Sequence, residues 1–407
     1  MAAGPGSAEI SNVPAYEEEH FVTAFTDHGI AGVQKYVSER LDAWRHIPLD
    51  IAVTGKTGAG KSTYINAIRQ LKVGQEGAAY TDVKEATKEI RSYKHPSNKN
   101  IVFWDLPGVG TDNFKRENYL DQVNLKKYDF FIILSSERFS EDDGWLATEI
   151  KQMGKRFYFV RTKVQIDIVN EPLSRETPRQ REEILDTIRN DCKENLKKHE
   201  LSDSDVYLID NFIPDDFDFD NLQAKIIKDA PQLKREAIAF SLSGRTDEII
   251  LQKKIELEKR IPIIAFASAV AGAVPLPGLG TSVDVGLLGQ ETRLYKKQFG
   301  LTDEAIKKSA QILGMREEEL KQKLDLKTFL LNCTTKGMIV LLREIAIEEA
   351  AAEAVKFVIP IIGSAVSGVL SYKTTSYCLR NILEEMYQDS VKINKKFSTH
   401  LAQATAV

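Results

Sequence analysis

Histidine, cysteine and net charge are all in short supply in this chain, and each shortage argues against a class of function. The three cysteines, Cys192, Cys333 and Cys378, are odd in number and far apart. They neither build a disulfide framework nor space as metal ligands, which points to a reducing compartment. The six histidines include no H-E-x-x-H pair and have no cysteine partners, which argues against a zinc enzyme. The formal net charge is only -4 and the lysines are scattered rather than striped, so there is no footprint for nucleic acid. Unbroken apolar runs of the roughly 20 residues that a membrane span needs are missing too. Two uncharged stretches, 261–283 and 357–372, are interrupted by Pro262, Pro275, Pro277, Gly278 and Gly280 in the first and by Pro360 in the second. They read either as buried helices joined by Pro/Gly turns or as a reversible membrane-contact hairpin or amphipathic segment, with a constitutive transmembrane helix last. The N-terminus shows no charged-then-apolar signal segment, and its first glycine is Gly4 rather than a glycine at position 2. Export and N-myristoylation are therefore not expected, and a cytoplasmic protein is.

What remains is an ordinary globular composition, 43% hydrophobic and 28% charged, in 407 residues. That length is too great for one compact core and predicts two domains. After a flexible start over 1–15, residues 16–45 carry a helical pattern with apolar Phe21, Phe25, Val33, Tyr36, Val37, Leu41 and Trp44. Short apolar strands follow at 51–54, 101–106, 130–135, 157–162 and 206–210, with helical stretches such as 142–153 and 179–198 between them. Alternating strands and helices predict a mainly parallel sheet covered on both faces, an α/β domain over 46–231. From 232 to 407 only helical patterns are found. The class changes near 228–233, so an all-α domain is expected beyond it.

The strongest motif sits after the first strand. Gly55-Lys56-Thr57-Gly58-Ala59-Gly60-Lys61-Ser62 matches G-x-x-x-x-G-K-[ST] in full, and a helix is predicted from Thr63 to Arg69. Its glycines let successive N–H groups converge on the α- and β-phosphates of a nucleotide, aided by the helix N-terminus. Lys61 would bridge the β- and γ-phosphates and Ser62 would ligate Mg²⁺. Downstream, Asp105-Leu106-Pro107-Gly108 ends a strand. There the aspartate would reach Mg²⁺ through water and the Gly108 N–H would follow the γ-phosphate. Between the two motifs, loop 74–90 should supply the threonine that senses Mg²⁺ and γ-phosphate. Thr87 is the better placed, just before the returning strand, and Thr81 is the alternative.

The base-reading motif is imperfect. Thr162-Lys163 opens the T-K-x-D pattern that reads guanine, but Gln165 stands where the aspartate belongs. A carboxylate accepts from two guanine donors, whereas an amide offers one acceptor and one donor and suits a donor–acceptor edge better. Asp167 could swing in, or could cap the loop that follows the strand. Asp210-Asn211 is the next recognition element, where a backbone N–H would meet the guanine O6.

GKTGAGKST, EGAAYTDVKEAT, YKHP, VFWDLPGVGT, YDFFIIL, FYFVRTKV and the all-helical remainder together resemble the immunity-related GTPases, the interferon-inducible, dynamin-like GTPases of vertebrate cell-autonomous immunity. The likeness runs from about Tyr16 to the end, and Lys61 places the chain with the effector-like members. It implies a GTPase domain and a helical domain assembled from both chain termini, with GTP as substrate, GDP as product and Mg²⁺ as cofactor. It further implies GTP-dependent dimers across the nucleotide face, oligomers, hetero-oligomers with relatives, and reversible association with vesicular or vacuolar membranes. Two residues depart from the family pattern: Gln165, and Lys56 where many members carry glutamate. After Gly108 stands Val109 rather than the water-positioning glutamine of signalling GTPases, so a lone copy should be slow. The family has a glutamate at the position of Glu85, which is expected to orient the water once a second protomer fixes its loop. The catalytic set expected is thus Lys61, Glu85, Thr87 and Gly108, with Ser62, Thr87 and Asp105 at the metal. Two other readings stand beside it: a weakly binding regulator of related GTPases, favoured by Gln165, and an ATPase, which no other feature of the chain suggests.

Overall fold

A computed structural model describes residues 15–81, 89–110, 114–137, 139–214, 216–242, 246–273, 279–329 and 365–405. The chain forms two compact units, Trp44–Ile249 and Met1–Ala43 with Ile250–Val407.

The first unit is built on six strands: β1 (Leu49–Gly55), β2 (Arg91–Lys94), β3 (Ile101–Asp105), β4 (Phe130–Ser135), β5 (Arg156–Arg161) and β6 (Val206–Leu208). Their order is β2-β3-β1-β4-β5-β6, parallel except for β2, which pairs antiparallel with β3 at one edge. The composition of each strand fits its place. β4, in the middle, reads FFIILS and is buried along its whole length, as a strand covered on both faces must be. The edge strand β2 reads RSYK and faces largely outward, its charges discouraging further pairing. Because β1 pairs with β3 on one side and β4 on the other, the chain reverses direction of travel across the sheet at the end of β1. Such a switch point at the carboxyl ends of parallel strands is where α/β sheets bind ligands.

The described residues of this unit also form the helices α2 (Lys61–Ile68), α3 (Arg116–Val123), α4 (Glu141–Gln152), α5 (Val164–Ser174), α6 (Arg181–Lys198), α7 (Phe219–Asp229) and α8 (Gln232–Ser241). One apolar core joins Ala52, Phe131, Ile133 and Phe159 of the sheet to Tyr119, Val123, Leu146, Ile150 and Leu196 of the helices. The start of α4 is fixed by a reciprocal cap, in which Ser140 accepts from the Asp143 N–H and Asp143 accepts from the Ser140 N–H. The unit ends later than the change of class at 231 suggests. α8 carries buried Ala237, Ile238, Ala239 and Phe240, and Phe240 meets Trp44 edge-on with ring centroids 5.2 Å apart. Lys234 also pairs with Asp129 at 2.7 Å. Helix type changes before the core does, so α8 stays with the sheet and the division falls at 249 and 250.

Among the described residues the second unit is helical: α1 (Ala15–Asp42), α9 (Asp247–Glu258), α10 (Ile261–Ala273), α11 (Leu279–Gln298), α12 (Asp303–Ile312), α13 (Glu317–Lys323) and α14 (Ala365–Thr405). α1 ends at Asp42, followed by a short 3₁₀ turn over Ala43–Arg45, and is interrupted at Gly29, where φ is 60° and ψ −148°. Phe21, Val33 and Val37 of α1 share a core with Ile263 and Ala267 of α10, so the two ends of the chain build one unit. Arg260, just before α10, donates to Glu291 of α11 through Nε at 2.7 Å and Nη2 at 3.0 Å, and its Nη1 donates to the Leu41 carbonyl at 2.7 Å. Of the two uncharged stretches, the first opens as α10, whose Ile261, Ile263, Ile264, Ala265 and Ala267 are buried core. Its residues 274–278, and residues 357–364 of the second stretch, lie outside the described residues. Among the described residues no helix is long and apolar enough to cross a membrane.

Candidate nucleotide site

The site grows out of the end of β1. Gly55 has φ 134°, and a Cβ there would lie 2.0 Å from the Leu134 carbonyl oxygen, so only glycine fits where the chain leaves the sheet. The loop runs through exposed Lys56, Thr57 and Gly58, buried Ala59 and left-handed Gly60 into α2. Helix α2 begins at Lys61, two residues before the predicted start, and Thr63 is half-buried in its first turn. Lys61 is buried, and its ammonium donates to the carbonyls of Gly55 at 3.0 Å and Lys56 at 3.1 Å. Burial lowers its pKa, and the nearby carboxylates of Asp105 and Asp143 oppose that shift. An incoming phosphate would exchange two neutral acceptors for a charged one, the stronger kind of bond.

Beside it Ser62 Oγ donates to Asp105 Oδ2 at 2.6 Å. The parallel register that opposes Val53 to Asp105 brings the β3 end to the first turn of α2. A hydroxyl and a carboxylate in contact are hard oxygen donors of the kind Mg²⁺ takes together with phosphate oxygens and water, so these residues fit the ion. When bound, Mg²⁺ would neutralise charge on the β- and γ-phosphates. Gly108 closes against the same loop: a Cβ on it would lie 2.9 Å from the Gly55 oxygen and 3.3 Å from Thr57 N. Val109 is 8% exposed and apolar. Thr81 is half-buried, while Glu85 and Thr87 lie outside the described residues.

At the base end, two side chains are tied to the phosphate loop. Thr162 is buried and donates from Oγ1 to the Ala59 carbonyl at 2.8 Å. Asn211 donates from Nδ2 to the Gly60 carbonyl at 3.3 Å, and its buried Oδ1 has no hydrogen-bond partner among the described residues. Asp210 accepts the Phe212 N–H at 3.0 Å and so shapes the loop that carries Asn211. Lys163 is exposed and left-handed, φ 60° and ψ 28°, and Gln165 is half-buried one residue into α5. Asp167 departs from both expectations. It lies on α5, in the first turn, rather than at a strand end, and its carboxylate pairs with Arg161 at 2.8 Å, away from the role of a swinging base reader or a loop cap.

The glycine-rich loop after β1, the Ser62–Asp105 pair and the Thr162–Lys163 turn are accompanied by a family match over residues 16–397, to the model described as Interferon-inducible GTPase. The chain belongs to that family. Its relatives include the T-cell-specific guanine nucleotide triphosphate-binding protein 2 of Mus musculus, 34% identical over 85% of this chain and 81% of that protein. The Interferon-inducible GTPase 5 of Bos taurus is 33% identical over 97% of this chain and 85% of its own length. The Interferon-gamma-inducible GTPase 10 of Mus musculus is 38% identical over 67% and 66%. The chain is therefore a GTP-binding protein and a GTPase.

Several residues of this interferon-inducible GTPase that shape the site carry no sequence motif. Asn66 of α2 clasps Ala79 with both amide atoms, donating to its carbonyl at 2.8 Å and accepting its N–H at 2.6 Å. Arg69 donates to the carbonyls of Gly77 at 2.7 Å and Lys94 at 3.1 Å. These bonds hold the near end of the loop that leads to Thr81. α5 is amphipathic in reverse. Asp167 and Glu171 turn inward with Arg161 and Arg179 over a cavity of about 500 Å³, and Arg179 hydrogen bonds pull the Glu171 carboxyl down to about 2. Its outer face shows Ile166, Val169 and Leu173, and Phe212 is exposed on the loop beyond β6. An i, i+3, i+7 apolar spacing reads as a buried face in sequence, which is why it gave no signal of exposure.

Proposed function

We propose that this GTPase depends on Mg²⁺, turns over slowly as a single copy and speeds up when a second copy covers the nucleotide face, and acts at vesicular or vacuolar membranes in cell-autonomous defence. The observation that carries the catalytic part is Val109. The loop, Lys61 and the Ser62–Asp105 pair supply phosphate and metal binding. The apolar, buried side chain after Gly108 has nothing to hold an attacking water. Glu85 is the residue proposed to do so, with Thr87 on the metal and Gly108 on the γ-phosphate. The apolar outer face of α5 and Phe212, next to the base-reading turn, is surface that such an assembly would cover. Turnover per site, measured across protein concentration with Mg²⁺, should climb in the wild type. Glu85→Ala should lose about 100-fold at high concentration, the scale of a lost water-activating group. A rate independent of concentration, or an unchanged Glu85→Ala, refutes this mechanism.

A second reading is favoured by Asp167. With that carboxylate bound to Arg161, Gln165 faces the base with an amide alone, and the chain would hold guanine nucleotide weakly and regulate related GTPases. Affinities for GDP, GTP, XTP and ATP decide it. Under this reading Gln165→Asp should tighten guanine binding by about tenfold to a hundredfold, the worth of one or two charge-assisted hydrogen bonds. Equal GDP affinity in the two proteins leaves the regulator without its basis.

A further inference from the structure

A buried chain of hydroxyls joins the strand that precedes the phosphate loop to the turn carrying Gly108. Tyr119, on α3, is wholly buried; its OH lies 2.8 Å from the Pro107 carbonyl oxygen and 3.0 Å from Thr54 Oγ1. A carbonyl can only accept, so the single phenolic proton goes to Pro107 and the Thr54 hydroxyl must donate to the phenolic oxygen. The direction is fixed, Thr54 to Tyr119 to Pro107. Burial pushes the phenol far above its ordinary pKa, so the proton stays.

The two ends of this chain are the residues just before Gly55 and Gly108. Those glycines approach each other closely across the site, with a Cβ on Gly108 falling 2.9 Å from the Gly55 oxygen. The Pro107 carbonyl, one residue before Gly108, is thus held by the phenolic hydroxyl, and the Thr54 bond on the far side of that oxygen adds stability. The ring that bears it is clamped edge-on by Phe114 and by Trp145, each at 6.4 Å between centroids. Arg116 lies over Trp145 at 5.0 Å and pairs with Asp142 at 3.3 Å, which ties the clamp to the start of α4.

We propose that Tyr119 is a positioning residue for hydrolysis. Without touching the nucleotide, it holds the Pro107 carbonyl and so presets the Gly108 backbone where the γ-phosphate arrives. Donors fixed before the reaction cost no reorganisation when charge develops, which is where such a preset acts on rate. The inference rests on the GTPase reading of this site.

The test compares wild type, Tyr119→Phe, Thr54→Val and the double variant at one protein concentration. GTP single turnover with Mg²⁺, titrations with GDP and a non-hydrolysable GTP analogue, and thermal melting are read for each. Thr54→Val removes one buried hydrogen bond but leaves Tyr119 on Pro107, so it controls for stability. Tyr119→Phe should slow turnover by about tenfold to a hundredfold, the scale of one misplaced transition-state donor, and weaken the GTP analogue selectively. Its GDP affinity should stay within about twofold, and Thr54→Val should melt lower yet keep its rate. If Tyr119→Phe does not fold, the double variant, with one fewer unpartnered buried hydroxyl, takes its place against Thr54→Val. Unchanged turnover in Tyr119→Phe, or equal losses in both single variants, overturns the assignment. Should the wild type hydrolyse no GTP at all, the GTPase reading fails, while the analogue-to-GDP affinity ratio still decides the role of Tyr119.

Discussion

Gly55→Ala should abolish measurable GTP and GDP binding and lower the stability of the sheet domain by several kcal/mol. Two costs fall on the same methyl group. A residue with a side chain at φ 134° sits in a region used almost only by glycine, at about 1–3 kcal/mol. The new Cβ would also come within 2.0 Å of the Leu134 carbonyl oxygen, an atom of the neighbouring strand's backbone that cannot rotate away. Relief requires β1 and β4 to part just where the loop must present its N–H groups. Gly58 offers the contrast, because a Cβ there meets nothing within 4 Å and its φ of 82° carries only the conformational cost. Thermal melting and a fluorescent-GDP titration on both variants check this. A Gly55→Ala protein that binds GDP like the wild type would mean the strand end is far softer than its contacts imply.

The second large effect lies in the helical unit. Glu291→Ala is expected to cost about 3–5 kcal/mol, because it takes from the buried Arg260 guanidinium the carboxylate that accepts two of its hydrogen bonds. Replacing both partners, Arg260→Met with Glu291→Leu, should cost much less, since the two charges of the pair are removed together. It will not be without cost, because Arg260 also donates to the Leu41 carbonyl in the last turn of α1. Urea melts of the three proteins measure the difference. If the single and double variants lose equally, the pair's charge is screened and its role is packing alone.

Much of this molecule was legible in its sequence because the chemistry imposes spacing. A phosphate loop needs its glycines and lysine in order, and fully buried strands need unbroken apolar runs such as FFIILS, so Gly55–Ser62 and β4 could be read directly. The sequence leaves Asp167 open between base reader and loop cap because a T-K turn can lead to loop or helix. Only the left-handed Lys163, which caps α5, decides that the next residues are helical. Helical periodicity says nothing about which core a helix joins, and for α8 it is the contact of Phe240 with Trp44 that places the helix with the sheet. Asn66, Arg69 and Tyr119 act through contacts between separate parts of the chain, and no local pattern marks a side chain that reaches a backbone 8 to 25 residues away.

The clasp between Asn66 and Ala79 makes α2 a lever. Its first turn, at Lys61 and Ser62, is where a phosphate and its metal would press. Its body, about 12 Å long at 1.5 Å per residue, grips residue 79 with a two-point hold that resists both sliding and twisting. A displacement at the phosphate end would thereby be felt at residue 79, two residues before Thr81, without any change in the helix itself. The nucleotide's charge state would be reported to that neighbouring stretch mechanically, by the tilt of one short rigid rod.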